Sequence, residues 1–285
     1  MVNLAEAFQV TTGTTAGSTH RTAPNLLNNQ DAVSSVVAPH LHLGTVSDGC
    51  GSQPQSGYGS QFIVNVLPKL ILGRYRPGMT LDQAWFDALY RALVKFTARK
   101  VKTEFLDPIE ALNTHMMATA GGVIETPETT HFYGAGDFVI NTNGEVIVWE
   151  PEEGNKPLYP VLSLAFPGDP RFKFRVHSVP TASLECYFFG TDGTKKLLDI
   201  CADKMECIPG TDDPVGPIDQ IWTTDRFYVG DMHPNHPTTG PGEVSAWLNR
   251  LAQNWRLQGP AQHGGLLDDD TTFYAGRRLK GSMSA

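Results

Sequence analysis

Cysteine is scarce in this chain and poorly placed for bridging. The four thiols, Cys50, Cys186, Cys201 and Cys207, include no C-x-x-C pair, so reduced thiols of a cytosolic protein are expected. Long apolar runs are also missing, and none approaches the ~20 residues that cross a bilayer. The opening MVNLAEAFQVTTGTTAG lacks the basic start and apolar core of a signal peptide, which points to the cytoplasm. Positive charge is thin and unclustered. With a net charge of −8 and no Lys/Arg-rich block, the chain offers no basic face to nucleic acid. There is no GxSxG elbow and no HExxH, and GTDGTKK lacks the spacing of a Walker loop.

What is present suits one soluble α/β unit. At 285 residues, 40% hydrophobic and 18% charged, the chain can bury a sizeable core. PGTDDPVGP and DMHPNHPTTGPGE read as loops or insertions rather than linkers, so residues 1–285 are expected to form a single domain. The segment up to Gly17 reads as an edge strand or a loose lead-in, and the second half of SSVVAPHLHLGTV alternates as a strand does. YGSQFIVNVLPKLIL suggests a helix whose regularity Pro68 limits. Thr80 can cap the next helix, in which Leu81, Trp85, Leu89, Leu93 and Phe96 recur at helical spacing. β-type runs follow: THMMATAGGVIET, THFYGAGDFVIN, GEVIVWEP and SLECYFFGTDG, with Asn141-Thr142-Asn143-Gly144 as a hairpin signal. LLDICADKM and PGEVSAWLNRLAQNWRL read as helices, and TTFYA as a closing strand.

The chemistry lies in aspartates at strand ends. Twice an apolar strand runs into Ser/Thr-Asp-Gly, at Asp48 and at Asp192. Asp31 precedes a strand, Asp137 heads DFVIN, and Asp268-Asp269-Asp270 precedes TTFYA. Strands of one sheet system can bring such ends to one rim. Carboxylates gathered there repel one another and are driven toward protonation unless a cation joins them. All-oxygen surroundings suit Mg²⁺ or Mn²⁺. A glycine after each Asp lets the backbone turn sharply, and Gly49 can present its carbonyl. Asp-Gly is also a common turn dipeptide, and a single strand-Asp-Gly is more often a hairpin end than a ligand. The residues alone thus leave an acidic metal site and a set of turns both open.

The order of these motifs resembles the PPM-type metal-dependent phosphatases, the protein phosphatase 2C family, in its divergent bacterial branch. The resemblance runs from about Gly13 to Arg278 and is carried by THRTAPNLLNNQDA, LGTVSDGCGSQPQSGYGSQF, FYGAGDFVINTNGEVIVWEPEEGNKPLY, YFFGTDGTKKLLD and LLDDDTTFYAGRR. It implies an α+β fold, a four-layer αββα sandwich with two antiparallel sheets between helices and a metal cleft at one end. It implies a Ser/Thr phosphoprotein phosphatase that hydrolyses its substrate with a hydroxide bridging two Mn²⁺ or Mg²⁺ ions. Asp48 would bridge both ions, the Gly49 carbonyl would bind the second, and Asp192 with Asp269 would complete the first. Asp31 would hold metal-bound water, and Asp137 matches a third, weaker ion. Reading Asp269-Asp270-Thr271-Thr272 as the closing motif favours Asp269 over Asp268. Arg21 or His20 would orient the phosphate, and the partners would be a phosphorylated protein and a cognate kinase.

The sequence departs from the family in two places. Cys50 stands where eukaryotic members often carry His, which leaves protonation of the leaving group to a metal-bound water. Phe138 follows Asp137, where Gly or Ser is usual. These departures motivate an alternative, a quiet regulatory module that keeps the fold without useful turnover. A buried, inert thiol is expected at Cys50. A zinc hydrolase built on His40 and His42, or on His233 and His236, is a weaker rival.

Overall fold

The computed structural model describes residues 3–18, 29–151, 157–197, 245, 248, 267 and 269–279. A short helix α1 (Leu4–Ala7) leads into β1 (Phe8–Thr15), which is an edge strand as its sequence allows. The run around Val36 and Leu43 divides into two strands, β2 (Ala32–Ala38) and β3 (Leu41–Ser47), because Pro39 and His40 form a tight turn between them. Helices α2 (Gly57–Arg74), α3 (Gln83–Glu104) and α4 (Pro108–Thr114) follow. Then come β4 (Ala120–Glu125), β5 (Thr129–Ala135), β6 (Phe138–Thr142), β7 (Glu145–Trp149), β8 (Arg175–Pro180), β9 (Cys186–Gly190) and β10 (Thr271–Arg278). The hairpin signal between β6 and β7 holds: Asn143 and Gly144 both take positive φ, 52° and 93°, as a primed two-residue turn requires.

The strands form two antiparallel five-stranded sheets, ordered β1-β10-β9-β6-β7 and β2-β3-β4-β5-β8. Between them lies an apolar layer in which Val46, Val123 and Phe132 of one sheet meet Phe138, Phe189 and Tyr274 of the other. One polar tie crosses this layer. Glu125 Oε2 on β4 is 2.8 Å from His42 Nδ1 on β3 and accepts the Tyr187 hydroxyl of β9 at 3.0 Å. The outer face of the β2–β8 sheet is covered by α2 and α3 through Ile63, Leu67, Ile71, Trp85, Phe86, Leu89 and Leu93. The architecture is an α+β sandwich of two sheets with flanking helices.

Two local expectations need correction. α3 is capped by Asp82, whose carboxylate accepts the Trp85 N–H at 2.9 Å, and not by Thr80. Asp82 occupies the position from which a side chain reaches the orphan amides of the first turn. Phe96 is 47% exposed, and the buried stripe of α3 continues through Thr97 and Val101, four and eight residues beyond Leu93. The helices expected over LLDICADKM and PGEVSAWLNRLAQNWRL lie mostly outside the described residues, although 194–197, Ser245 and Leu248 are helical. Among the described residues no helix is long and apolar enough to cross a membrane.

Candidate metal centre

Two neighbouring strand ends supply the first carboxylates. β2 and β3 pair with Ala32 opposite Ser47, so one step further the same register sets Asp31 opposite Asp48. Asp31 is buried; its Oδ2 accepts the Thr191 hydroxyl at 2.8 Å, and its N–H donates to Asn29 Oδ1 at 3.0 Å. Asp48 is pinned through its main chain. Its N–H donates to Thr119 Oγ1 at 2.8 Å, and its carbonyl accepts the Thr119 N–H at 2.8 Å. The Cys50 N–H donates to the Met117 carbonyl at 2.8 Å, completing a bridge in which Gly49 faces Ala118. These bonds flank Gly49, so its own carbonyl stays outside the ladder.

The second sheet supplies the remainder from the same end of the sandwich. Val139 of β6 pairs with Gly190 of β9, and two steps along that register Asp137 faces Asp192. Phe273 of β10 pairs with Gly190, which carries Thr271, directly after Asp269-Asp270, to the level of Asp192. The Thr191 N–H bond to the Thr272 carbonyl, 2.9 Å, extends this ladder past the strand ends. Asp31 and Asp48 thus come from one sheet, and Asp137, Asp192 and Asp269 from the other.

Their electrostatics show the crowding. Burial raises the Asp31 carboxyl well above its ordinary range, and Asp270 and Asp192 push it the same way. Burial likewise raises Asp48, followed by the charges of Asp31, Asp192 and Asp269. Asp192 is pushed up to about 7 by burial, Asp137 and Asp269, against the opposing pull of Lys195. Asp137 is raised chiefly by burial, while Lys195 and Arg175 draw it down. Burial leads each of these shifts, and for Asp31, Asp48 and Asp192 the like charges of neighbouring aspartates add to it.

Among the described residues no three His, Cys, Asp or Glu side chains close on one point as a finished metal cage would. The residues nonetheless suit a hard divalent cation. Every candidate donor is an oxygen, and Oδ1 of Asp31 and Oδ1 of Asp137 are buried without a hydrogen-bond partner among the described residues. An unsatisfied buried carboxylate oxygen is costly unless something positive meets it.

The closing triplet resolves into different tasks. Asp270 is buried and structural: Oδ1 accepts the Gly17 N–H at 2.8 Å and Oδ2 the Gln30 N–H at 2.6 Å, tying the exit of β1 to the segment before β2. Asp269 is exposed and acts electrostatically on both Asp48 and Asp192. Asp268 lies outside the described residues, as do His20 and Arg21. The supporting roles of Asp270, Thr119 and Thr191 escaped the sequence reading. Thr191 sits inside the second Asp-Gly motif and could have been suspected; nothing in its neighbourhood singles out Thr119.

Cys50 is half-buried rather than buried, with Sγ 3.2 Å from the Ser52 hydroxyl. Tyr159 lies against it: the phenol is pushed up by burial, then by a hydrogen bond with Cys50 and the charges of Asp48 and Asp137. The histidine pair does not form. His40 is exposed in the β2–β3 turn, whereas His42 is fully buried against Glu125. His233 and His236 lie outside the described residues.

The chain belongs to the protein phosphatase 2C family, whose profile matches residues 16–200. No curated protein matches it. Among solved structures, a bacterial serine phosphatase is similar with a TM-score of 0.54 and 10% identity, over 95% of this chain and 98% of that one. PppA, a regulatory component of the type VI secretion system in Pseudomonas aeruginosa, gives 0.53 and 14%, over 95% and 98%. The catalytic domain of the Ser/Thr phosphatase PstP, solved with two manganese ions, gives 0.52 and 15%, over 96% and 99%. At such identities these likenesses establish the fold.

Proposed function

We propose that this chain is a metal-dependent phosphatase of phosphoserine and phosphothreonine in proteins. The observation that carries the reading is the strand register that brings the main-chain positions of Asp31, Asp48, Asp137, Asp192 and Asp269, drawn from both sheets, to one end of the sandwich. Family membership supports the reaction class, and the two manganese ions of the PstP structure support Mn²⁺, or Mg²⁺, as the cofactor.

In this reading Asp48 and the Gly49 carbonyl would hold a pair of ions together with Asp192 and Asp269, and Asp137 would border a third, weaker position. Such ions, when bound, supply a nucleophilic hydroxide at neutral pH and neutralise the phosphoryl oxygens. The protein's part is placement. Thr119 fixes the Asp48 backbone from both sides, so the carboxylate leaves a rigid strand end. The Thr191 hydroxyl occupies Asp31 Oδ2, so Oδ1 would be the oxygen that holds water beside the ions. Arg21 or His20 would grip the phosphoryl oxygens by charge-assisted hydrogen bonds. The natural substrate is then a phosphoprotein, and the natural counterpart a Ser/Thr kinase.

The test is Mn²⁺-dependent hydrolysis of a phosphorylated peptide by the wild type, Asp48→Asn and Asp192→Asn, with circular dichroism to verify the fold. Each variant should lose at least about a hundredfold in turnover, since each loses a charge that holds the ions. Chelation should silence the wild type, and added Mn²⁺ should restore it. Unchanged turnover in either variant refutes the assignment. Calorimetric Mn²⁺ binding without any turnover would instead favour the regulatory module.

A further inference from the structure

Beside the acidic centre lies a cleft of opposite sign. It is lined by Ala135 at the end of β5, Gly136 after it, Pro151 and Leu158 beyond β7, Arg171 and Lys173 before β8, and Arg175 at its start. Three cations within five residues are notable in a chain whose net charge is −8. They are held differently. The exposed Arg171 guanidinium is forked onto the half-buried Asp169 carboxylate at 2.7 Å. Arg175 donates to the carbonyls of Gly136 and Glu150 and lies over the Trp149 ring, 5.2 Å from its centroid. Lys173 is exposed at the mouth.

The cleft borders the candidate metal centre along the main chain at Gly136-Asp137. Gly136, in its wall, directly precedes Asp137, and its φ of +119° together with the near approach of Thr119 leaves no room for a side chain there. The Arg175 charge is felt by Asp137. Leu158 lines the cleft while the next residue, Tyr159, turns its phenol toward Cys50, Asp48 and Asp137. One step of main chain therefore separates the two environments. An extended peptide advances ~3.5 Å per residue, so one that places a phosphate at the aspartates can set a residue one to three positions away in the cleft.

We propose that the cleft of Arg171, Lys173 and Arg175 is a recognition subsite for an anionic group, a carboxylate or a second phosphate, flanking the phosphorylated residue of a peptide substrate. This rests on the phosphatase reading above and deepens it. Lys173 at the mouth, beside the Arg171–Asp169 pair and the fixed Arg175 guanidinium, offers positive charge to the oxygens of such a group. The cations also offset the repulsion that the carboxylate rim exerts on an acidic peptide.

Three peptides of one sequence test it, each with one phosphoserine and with Gln, Glu or a second phosphoserine two residues to either side. They are compared with p-nitrophenyl phosphate, which has no flank. In Mn²⁺ the wild type should prefer both anionic flanks over Gln by about tenfold in kcat/KM, through KM, and by a similar factor in binding read by fluorescence anisotropy. Raising salt should erode the preference. Lys173→Glu should bring the three peptides within about twofold of one another, and Lys173→Ala should fall between. Turnover of p-nitrophenyl phosphate should change less than about twofold in either variant. A preference confined to the doubly phosphorylated peptide would assign the cleft to a second phosphate, and preference for both would show that a carboxylate suffices. Equal binding of all three peptides by the wild type, or an undiminished preference in Lys173→Glu, overturns the subsite even with full turnover. Selective binding without turnover of any substrate would overturn the phosphatase reading and leave the subsite standing.

Discussion

At the scale of single residues, the glycines after the aspartates do a different job from the one their sequence suggests. Neither Gly49 nor Gly193 takes a positive φ, so backbone reversal is not what they provide. They provide close approach. A Cβ on Gly49 would lie 2.8 Å from both the Gln30 carbonyl and the Ser56 hydroxyl. A Cβ on Gly193 would overlap the Asp270 carbonyl oxygen, which is backbone and cannot rotate aside. Gly193→Ala must therefore push the Asp192 turn away from the start of β10, separating Asp192 from Asp269. Turnover should fall by at least about tenfold through misplacement, and stability by about 1–3 kcal/mol through overpacking. Gly73 in α2 is the control: nothing lies within 4 Å of its Cβ position, so Gly73→Ala should be neutral or stabilising by up to about 1 kcal/mol. Thermal melts and initial rates on the two variants settle the matter, and an active, stable Gly193→Ala would remove close approach as the reason for that glycine.

At the scale of elements, α2 shows how a helix runs through a proline. Pro68 has no N–H to give the Val64 carbonyl four residues earlier. That carbonyl instead accepts the Ser34 hydroxyl of β2 at 2.6 Å. The irregularity that Pro68 predicts from sequence thus becomes a tie between α2 and the strand that follows Asp31. Ser34→Ala should cost about 1 kcal/mol by leaving the carbonyl unsatisfied. In a Pro68→Ala background the restored amide takes over, so the same substitution should cost measurably less. A double-mutant cycle by denaturant unfolding reads the difference, and equal costs in both backgrounds would mean that Ser34 and Pro68 act independently.

At the scale of the whole molecule, what the sequence disclosed and what it withheld divide along a physical line. Strand ends, the hairpin at Asn143-Gly144 and the apolar stripe of α3 follow from local periodicity and turn chemistry, and so were readable. The gathering of Asp31, Asp48, Asp137, Asp192 and Asp269 depends on long-range register, which only the order of motifs in a known family could supply. Thr119, Asp270 and the basic cleft carry no local signature, because each acts on a partner distant in sequence. That same long-range register has a thermodynamic consequence. Two carboxylates come from one sheet and three from the other at the end of the sandwich, so their repulsion works to part the sheets, and on the proposed reading a bound cation would cross-link them. Mn²⁺ at a hundredfold excess over its dissociation constant should then add about 2.7 kcal/mol to the folded state. For a chain of this size that corresponds to a rise in Tm of roughly 4–5 °C. Asp48→Asn removes a charge from the crowded rim, so the metal-free variant should melt above the metal-free wild type while losing most of the Mn²⁺ response. Calorimetric scans of both proteins in chelator and in Mn²⁺ give the four temperatures needed. An Mn²⁺ shift as large in Asp48→Asn as in the wild type would place the cation elsewhere and leave the five aspartates without a common purpose.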